Sequence, residues 1–445
     1  MDFVGSEMAR AIRSLETVKK AKKFLPSFYN REHNNTKKVA WCMQGVPTEL
    51  LEVFDLIPEW PENFGALCAA RSVAKDFIAV TESEGYTTEL CSYMTNCLGY
   101  SRRYCDLGSE PPEAPPEGGM KKPDLMLGSG YLCDPRYKWF QAIGTRYFRV
   151  PVFISDPMSP TVDCNIGDIR IAQHYREHLL SDLKAQVSFL EEVTGRMLDI
   201  DRFRHIMQVA QKSIMYWRKI YELRKAKPCP MGAEDYFTCV IPQMFMIGKD
   251  EALVFFENLY KEVKERVDKK IGVITEEKYR LAFFGLPPWY NLGFFNYLES
   301  LGAMVVLESA YYIAPHVEVD LTDPIEGLVD RIWQDTCWHH AMNSEIMPEI
   351  CDPGLQQGIG SKLLLQLIKE YEIDGVLLHR TRSCRPWSWG QVHYRNLLER
   401  EGVPCLIFES DMVDARAWSD SRVKAQIEPF MESVSQNKSS KNKKK

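Results

Sequence analysis

The sequence predicts an α/β fold of two parallel-sheet domains with a helical segment between and around them. Three observations predict it. Short apolar runs alternate with helical stretches in the first and last thirds of the chain, and each run is bounded by glycine, proline or polar residues. The intervening helices are long enough for right-handed crossovers between parallel strands. The middle of the chain, residues 166–224, has no proline and carries helical periodicity throughout.

In order along the chain, residues 1–37 form a helical arm. Its opening, MDFVGSEMARAIRSLETVKKAKKF, reads as an amphipathic helix and lacks the apolar core of a signal peptide. The first α/β domain spans 38–165. Residues 38–60 read as a strand, a Gly/Pro turn and a helix opening at Pro47–Thr48, where proline and a small hydroxyl suit the first turn. Residues 72–105 read as mostly helical and carry Cys91, Cys97 and Cys105. The stretch 108–123 holds five prolines and reads as an exposed loop. DLMLGSGYLC (124–133) is a strand running into glycines and a cysteine, and FRVPVFISD (148–156) is a second. The helical segment spans 166–271, with Leu179, Leu183, Val187 and Leu190 on one stripe, a break near Thr194–Gly195 and a third long helix over 251–271. The second α/β domain spans 272–433: strands over 279–289, 303–309, 374–384 and 403–411 alternate with helices over 294–302, 356–373 and 391–402. Both α/β portions read as Rossmann- or flavodoxin-like, and each contains a strand that ends at a cysteine. The Lys-rich tail, 434–445, reads as disordered.

Composition narrows the function. Of 445 residues, 45% are hydrophobic and 26% charged, as in a folded globular protein. Lys and Arg number 55 against 61 Asp and Glu, a net charge of −6; five of the lysines lie in the last eight residues, so residues 1–437 carry 50 against 61, a net of −11. So acidic a body does not suit nucleic-acid binding. No apolar run approaches a membrane span, and a cytoplasmic location is expected. Thirteen cysteines are many for a reducing compartment, where disulfides rarely persist. They are expected to be buried thiols or metal ligands.

The common nucleotide and metal signatures are absent: no CxxC, HExxH, EF-hand, P-loop, GxGxxG or GxSxG occurs. What remains is position. In open α/β sheets, functional groups collect at the carboxyl ends of strands. Cys133 and Cys384 both sit there, after small or polar residues that admit close approach of a ligand. Each alone reads first as a buried thiol. As a pair at equivalent positions they suggest soft-metal ligands, for iron–sulfur or zinc. A third ligand is available from Cys91 or Cys97, which lie about 240° apart if both are helical and so do not easily serve one site together.

The segments ELCSYMTNCLG, PDLMLGSGYLCDPRYKWF, EEKYRLAFFGLPPW, DGVLLHRTRSCRPWSWGQ and FESDMVDAR resemble those of the 2-hydroxyacyl-CoA dehydratase / benzoyl-CoA reductase family, over about residues 38–432. They look most like the larger cluster-bearing subunit of the ATP-dependent benzoyl-CoA reductases. The resemblance implies a [4Fe–4S] cluster held by Cys91, Cys133 and Cys384, with Cys97 a substitute. It also implies that the chain is an iron–sulfur subunit taking low-potential electrons from a separate ATP-hydrolysing activator, with ferredoxin as donor and ATP bound on that partner. A homologous smaller cluster-bearing subunit is expected as well. The implied chemistry is dearomatisation of benzoyl-CoA to a cyclic dienoyl-CoA. Its alternatives are dehydration of a 2-hydroxyacyl-CoA through a ketyl radical, and a non-catalytic cluster-carrying scaffold.

Further candidates stand beside the thiols. Arg382 and Arg385 flank Cys384 and are read either as neutralising cluster or thioester charge or as a solvated loop edge. Gln391 is a candidate hydrogen-bond donor near the cluster. Glu49 resembles an acidic position facing substrate in the dehydratases, and equally suits a carboxylate in the first turn of a helix. Cys337, His339 and His340 fall within four residues but lack a partner pair for zinc. The aromatics of LPPWYNLGFFNY (286–297) suit either an aryl pocket or a packed core.

Overall fold

The computed structural model describes residues 13–21, 23–29, 37–130, 133, 135–155, 169–312, 318–344, 361–388 and 390–444. Two helices, α1 (Glu16–Ala21) and α2 (Phe24–Tyr29), precede the first domain. That domain runs β1 (Val39–Cys42), α3 (Thr48–Val53), β2 (Ile57–Glu59), α4 (Pro61–Ala70), α5 (Ala74–Ser83), α6 (Ser92–Leu107), β3 (Leu125–Ser129), α7 (Pro135–Ala142) and β4 (Val152–Ser155). The helical segment follows as α8 (Ile169–Thr194), α9 (Ile200–Leu223), α10 (Ala233–Thr238), α11 (Val240–Phe245) and α12 (Asp250–Asp268). The second domain runs β5 (Tyr279–Phe284), α13 (Gly293–Ser300), β6 (Ala303–Glu308), α14 (Pro324–Ser344), α15 (Ser361–Glu370), β7 (Gly375–Thr381), α16 (Arg385–Ser388), α17 (Gln391–Arg400), β8 (Cys405–Ser410) and α18 (Asp420–Lys444).

Each domain is built on a four-stranded, all-parallel sheet, ordered β2-β1-β3-β4 and β6-β5-β7-β8. The two orders are the same topology offset by four strands. Winding reverses between β1 and β3 in one sheet and between β5 and β7 in the other. Such switch points leave a crevice at the carboxyl ends of the strands. β1, β3, β5, β6 and β7 are buried along nearly their whole length, as expected where helices cover both faces, whereas the edge strands β4 and β8 are mostly half-buried.

Local sequence explains the elements that carry the site. α6 lies tight on α5 because position 99 is glycine: a Cβ there would stand 1.8 Å from the Phe77 carbonyl oxygen. The chain leaves β5 through Gly285 at φ +111°, where a Cβ would approach the His379 carbonyl oxygen to 2.7 Å, a conformation natural to glycine. α8 and α9 are separated at Gly195 (φ +69°), and Asp199 caps α9 by accepting from the Arg202 amide at 2.9 Å.

Several features differ from the sequence reading, among them α14, a 21-residue helix absent from it. β2 has no counterpart there: IPE contains a proline, yet it is an edge strand paired only with β1, where a missing N–H is tolerated. The loop 108–123 is not simply exposed. Trp41 Nε1 donates to the Lys121 carbonyl at 2.8 Å, Tyr100 donates to the Met120 carbonyl at 2.6 Å, and Met120 is buried. The tail is helical, since α18 continues to Lys444. Val434 is buried, Asn437 donates to the Gly402 carbonyl at 2.9 Å and Lys438 pairs with Asp374 at 2.7 Å. The opening residues 1–12 and the side chains of Cys337, His339 and His340 lie outside the described residues.

Candidate functional site

The two switch points face one cavity of about 340 Å³. Gln44 and Gly45 enter it after β1, Cys133 after β3, Leu286 and Trp289 after β5, Ser309–Tyr312 after β6, Cys384 after β7 and Met412 after β8. Its volume falls within the range of small-molecule sites, and its wall carries a set of aromatic side chains: Tyr93, Trp139, Phe237, Trp289, Tyr311 and Trp387.

Cys91, Cys133 and Cys384 all line this cavity. Each stands one or two residues before the start of a helix: Cys91 is the N-cap residue of α6, Cys133 lies two residues before α7 and Cys384 immediately precedes α16. Backbone N–H groups of Met94 and Tyr93 reach the Cys91 sulfur, and that of Trp387 reaches Cys384. Such donors stabilise negative sulfur. Burial nevertheless raises Cys91 to about 12, with further upward pushes from Cys133 and Glu62. Cys384 rises by burial and by its proximity to Cys91, Cys133 and Asp411. The three sulfurs are thus close enough to repel one another as thiolates, and a bound cation would invert that penalty.

Among the described residues, no group of three His, Cys, Asp or Glu stands close enough to hold a single metal ion. Thiolate sulfur is the donor type that iron–sulfur clusters take. Three soft sulfurs converge from separate chain segments, with N–H donors on two of them and open cavity between.

The other sequence-derived candidates fall elsewhere. Cys97 is fully buried in α6 beside Cys68 and does not line the cavity; the α6 axis carries it away from Cys91. Arg382 points outward and pairs with Glu409 at 3.0 Å, and Arg385 is exposed. Gln391 is buried but donates to the His379 and Trp387 carbonyls at 2.6 and 2.9 Å, bracing the turn after Cys384 instead of facing the cavity. Glu49 lies in the first turn of α3, 1% exposed, with its carboxylate 2.6 Å from the Arg331 guanidinium. Of 286–297, Leu286, Trp289 and Leu292 line the cavity, whereas Phe294 and Phe295 are core.

Sequence reasoning missed a polar group on the cavity wall. Arg136 on α7, almost fully buried, donates to Glu62 at 2.9 Å and to the Gln44 carbonyl at 2.5 Å, while Glu62 accepts from the Gln44 amide at 2.8 Å. The ion pair ties α7, and hence the chain after Cys133, to α4. Its signal in sequence is slight: Arg136 follows Cys133 by three residues, and Glu62 opens a helix behind a proline.

A family model described as 2-hydroxyglutaryl-CoA dehydratase, D-component, matches residues 43–434. The chain belongs to this family. Within the 2-hydroxyglutaryl-CoA dehydratase D-component family it is 28% identical over 443 residues to a benzoyl-CoA reductase subunit from Thauera aromatica, covering 94% of this chain and 95% of the relative. It is 24% identical to the alpha subunit of lactoyl-CoA dehydratase from Anaerotignum propionicum, covering 93% and 97%. It is also 24% identical to the alpha subunit of (R)-2-hydroxyglutaryl-CoA dehydratase from Acidaminococcus fermentans, covering 92% and 94%. These relatives are enzyme subunits of both reductase and dehydratase types. Among the described residues, no helix is long and apolar enough to cross a membrane.

Proposed function

We propose that the chain is the iron–sulfur subunit of an ATP-dependent benzoyl-CoA reductase, working with a second cluster-bearing subunit and a separate ATP-hydrolysing electron donor. The observation that carries this reading is the meeting of Cys91, Cys133 and Cys384 on one aromatic-walled cavity. These three residues would hold a [4Fe–4S] cluster, which when bound supplies single low-potential electrons beside an iron with an open position.

The chain's own residues supply the rest. The aromatic wall excludes water and accepts a flat acyl group by stacking or edge contact. The N–H groups at α6 and α16 temper the charge on the sulfurs. The Glu62–Arg136 pair holds the loops after β1 and β3 in place. Absence of a P-loop from this sequence accords with ATP hydrolysis on another chain.

A second reading, as part of a 2-hydroxyacyl-CoA dehydratase, is favoured by the family model and by two of the relatives above. One experiment separates the two. The purified complex, supplied with ATP, a low-potential ferredoxin and benzoyl-CoA, is expected to add two electrons and two protons and release a cyclic dienoyl-CoA. Conversion of only a 2-hydroxyacyl-CoA, to the enoyl-CoA and water, would establish the dehydratase instead.

A further inference from the structure

Among the described residues, Tyr311 is the one bulky side chain of the cavity wall held at positive φ, +67°. For a non-glycine residue this conformation is strained and persists only where the surroundings enforce it. Here they do. The Tyr311 carbonyl accepts from Gln243 Nε2 at 2.7 Å and from the Tyr221 hydroxyl at 3.1 Å. The preceding Ala310 carbonyl accepts from the Tyr236 hydroxyl at 2.9 Å, and the Tyr221 and Tyr236 oxygens stand 2.7 Å apart. Beneath them the Arg224 guanidinium lies 5.0 Å over the Tyr236 ring and grips Glu308 at 2.6 and 2.8 Å. A buried network thus fixes a strained turn, and the turn presents a phenol to the cavity.

That phenol ends a polarised chain. The Trp289 indole N–H, which can only donate, donates a hydrogen bond to the Tyr93 oxygen at 2.5 Å. Tyr93 keeps its own proton to donate, and the Tyr311 hydroxyl is its neighbour on the cavity wall. A phenol ordinarily carries its proton at neutral pH. Successive donation strengthens the last donor. Cys384 and Cys91 border this pair.

We propose that the Tyr311 hydroxyl is a catalytic hydrogen-bond donor to the carbonyl oxygen of an acyl thioester bound in the cavity. This rests on the acyl-CoA reading above. The donor keeps its proton; its hydrogen bond tightens as negative charge develops on that oxygen, the condition under which a preorganised donor lowers a barrier. Tyr93 and Trp289 are positioning residues behind it.

The test is the infrared carbonyl band of 13C-carbonyl benzoyl-CoA bound to the purified complex, without ATP or reductant. The wild type is expected to shift the band to lower frequency than in water. Tyr311→Phe is expected to lose most of that shift while binding benzoyl-CoA within about threefold of wild type, and its turnover to fall about 10²-fold, the scale set by loss of one oxyanion donor. Trp289→Phe, which leaves Tyr311 in place, is expected to give a smaller shift than wild type. An identical bound-state band in wild type and both variants would overturn the assignment while leaving acyl-CoA binding intact. If the wild type binds neither benzoyl-CoA nor a 2-hydroxyacyl-CoA, the acyl-CoA reading fails and this inference fails with it.

Discussion

The backbone amide of Ser92 donates to the hydroxyl of Ser383 across 3.1 Å, joining residues 291 positions apart in the chain. Each serine is the immediate neighbour of a cavity thiol, Cys91 in one domain and Cys384 in the other. Ser383 in turn donates to Asp411 at 2.5 Å, and Asp411 also accepts from the amides of Ser383, Val413 and Asp414. The separation of the two sulfurs is therefore fixed by a buried weld between domains.

Removing that hydroxyl should be felt. Ser383→Ala leaves the Ser92 amide without its partner and removes one of the donors to Asp411, at a cost of about 1–3 kcal/mol. A lowered urea midpoint and faster loss of any bound iron to a chelator are expected. Unchanged values for both would show that the weld does not hold the site.

Arg382 should be dispensable for ligand binding, although it lies near Cys384 in sequence. Its guanidinium is half exposed and pairs with Glu409, and an exposed pair of this kind contributes about 0–1 kcal/mol. Arg382→Ala is expected to bind benzoyl-CoA within about twofold of wild type by calorimetry. A tenfold loss would return this residue to the site.

The Arg224–Glu308 pair is fully buried. Arg224→Met strands the carboxylate and should cost about 3–5 kcal/mol, whereas Arg224→Met combined with Glu308→Leu should recover much of the loss. Soluble yield and denaturant midpoints of the single and double variants measure this. A single variant as stable as wild type would remove the pair from the support of the Tyr311 turn.

His379 makes stability pH-dependent. Its Nδ1–H donates to the Leu286 carbonyl at 2.5 Å, which leaves Nε2 to accept from Ser410 at 2.6 Å, and burial holds its pKa at about 4. An unfolded chain would protonate the same imidazole near 6.5. The stabilisation is present above that value and is lost as pH falls from about 6.5 to 4, by about 3 kcal/mol in total. His379→Gln should flatten this part of the urea-midpoint curve. The same slope in variant and wild type would exclude His379 as its source.

Much of the fold is legible in the sequence because it is carried by local signals. The strand that leads to Cys133 (β3), the strand that leads to Cys384 (β7) and the break at Gly195 each follow from apolar runs and their punctuation. β2 is hidden because Pro58 argues against a strand unless the strand lies at an edge. The tail misleads because lysines and serines carry no apolar stripe of their own; Val434, Asn437 and Lys438 are held by groups distant in sequence. The site divides along the same line. Strand-end position draws attention to Cys133 and Cys384, and the family resemblance selects Cys91 over Cys97. Glu62, Arg136 and Tyr311 depend on long-range packing and on a strained φ, neither of which a single sequence displays. Adjacency misleads at Arg382 and Gln391, because the turn after β7 sends their side chains away from the cavity.

The central claim is that Cys91, Cys133 and Cys384 together grip one iron–sulfur cluster. Its most direct test is iron and acid-labile sulfide content, with the electron paramagnetic resonance of the reduced protein, for anaerobically purified wild type and serine variants. Cys91→Ser, Cys133→Ser and Cys384→Ser are each expected to lose the cluster and its signal, while Cys97→Ser and Cys405→Ser retain both. Equal iron, sulfide and signal in all five variants and the wild type would contradict the account.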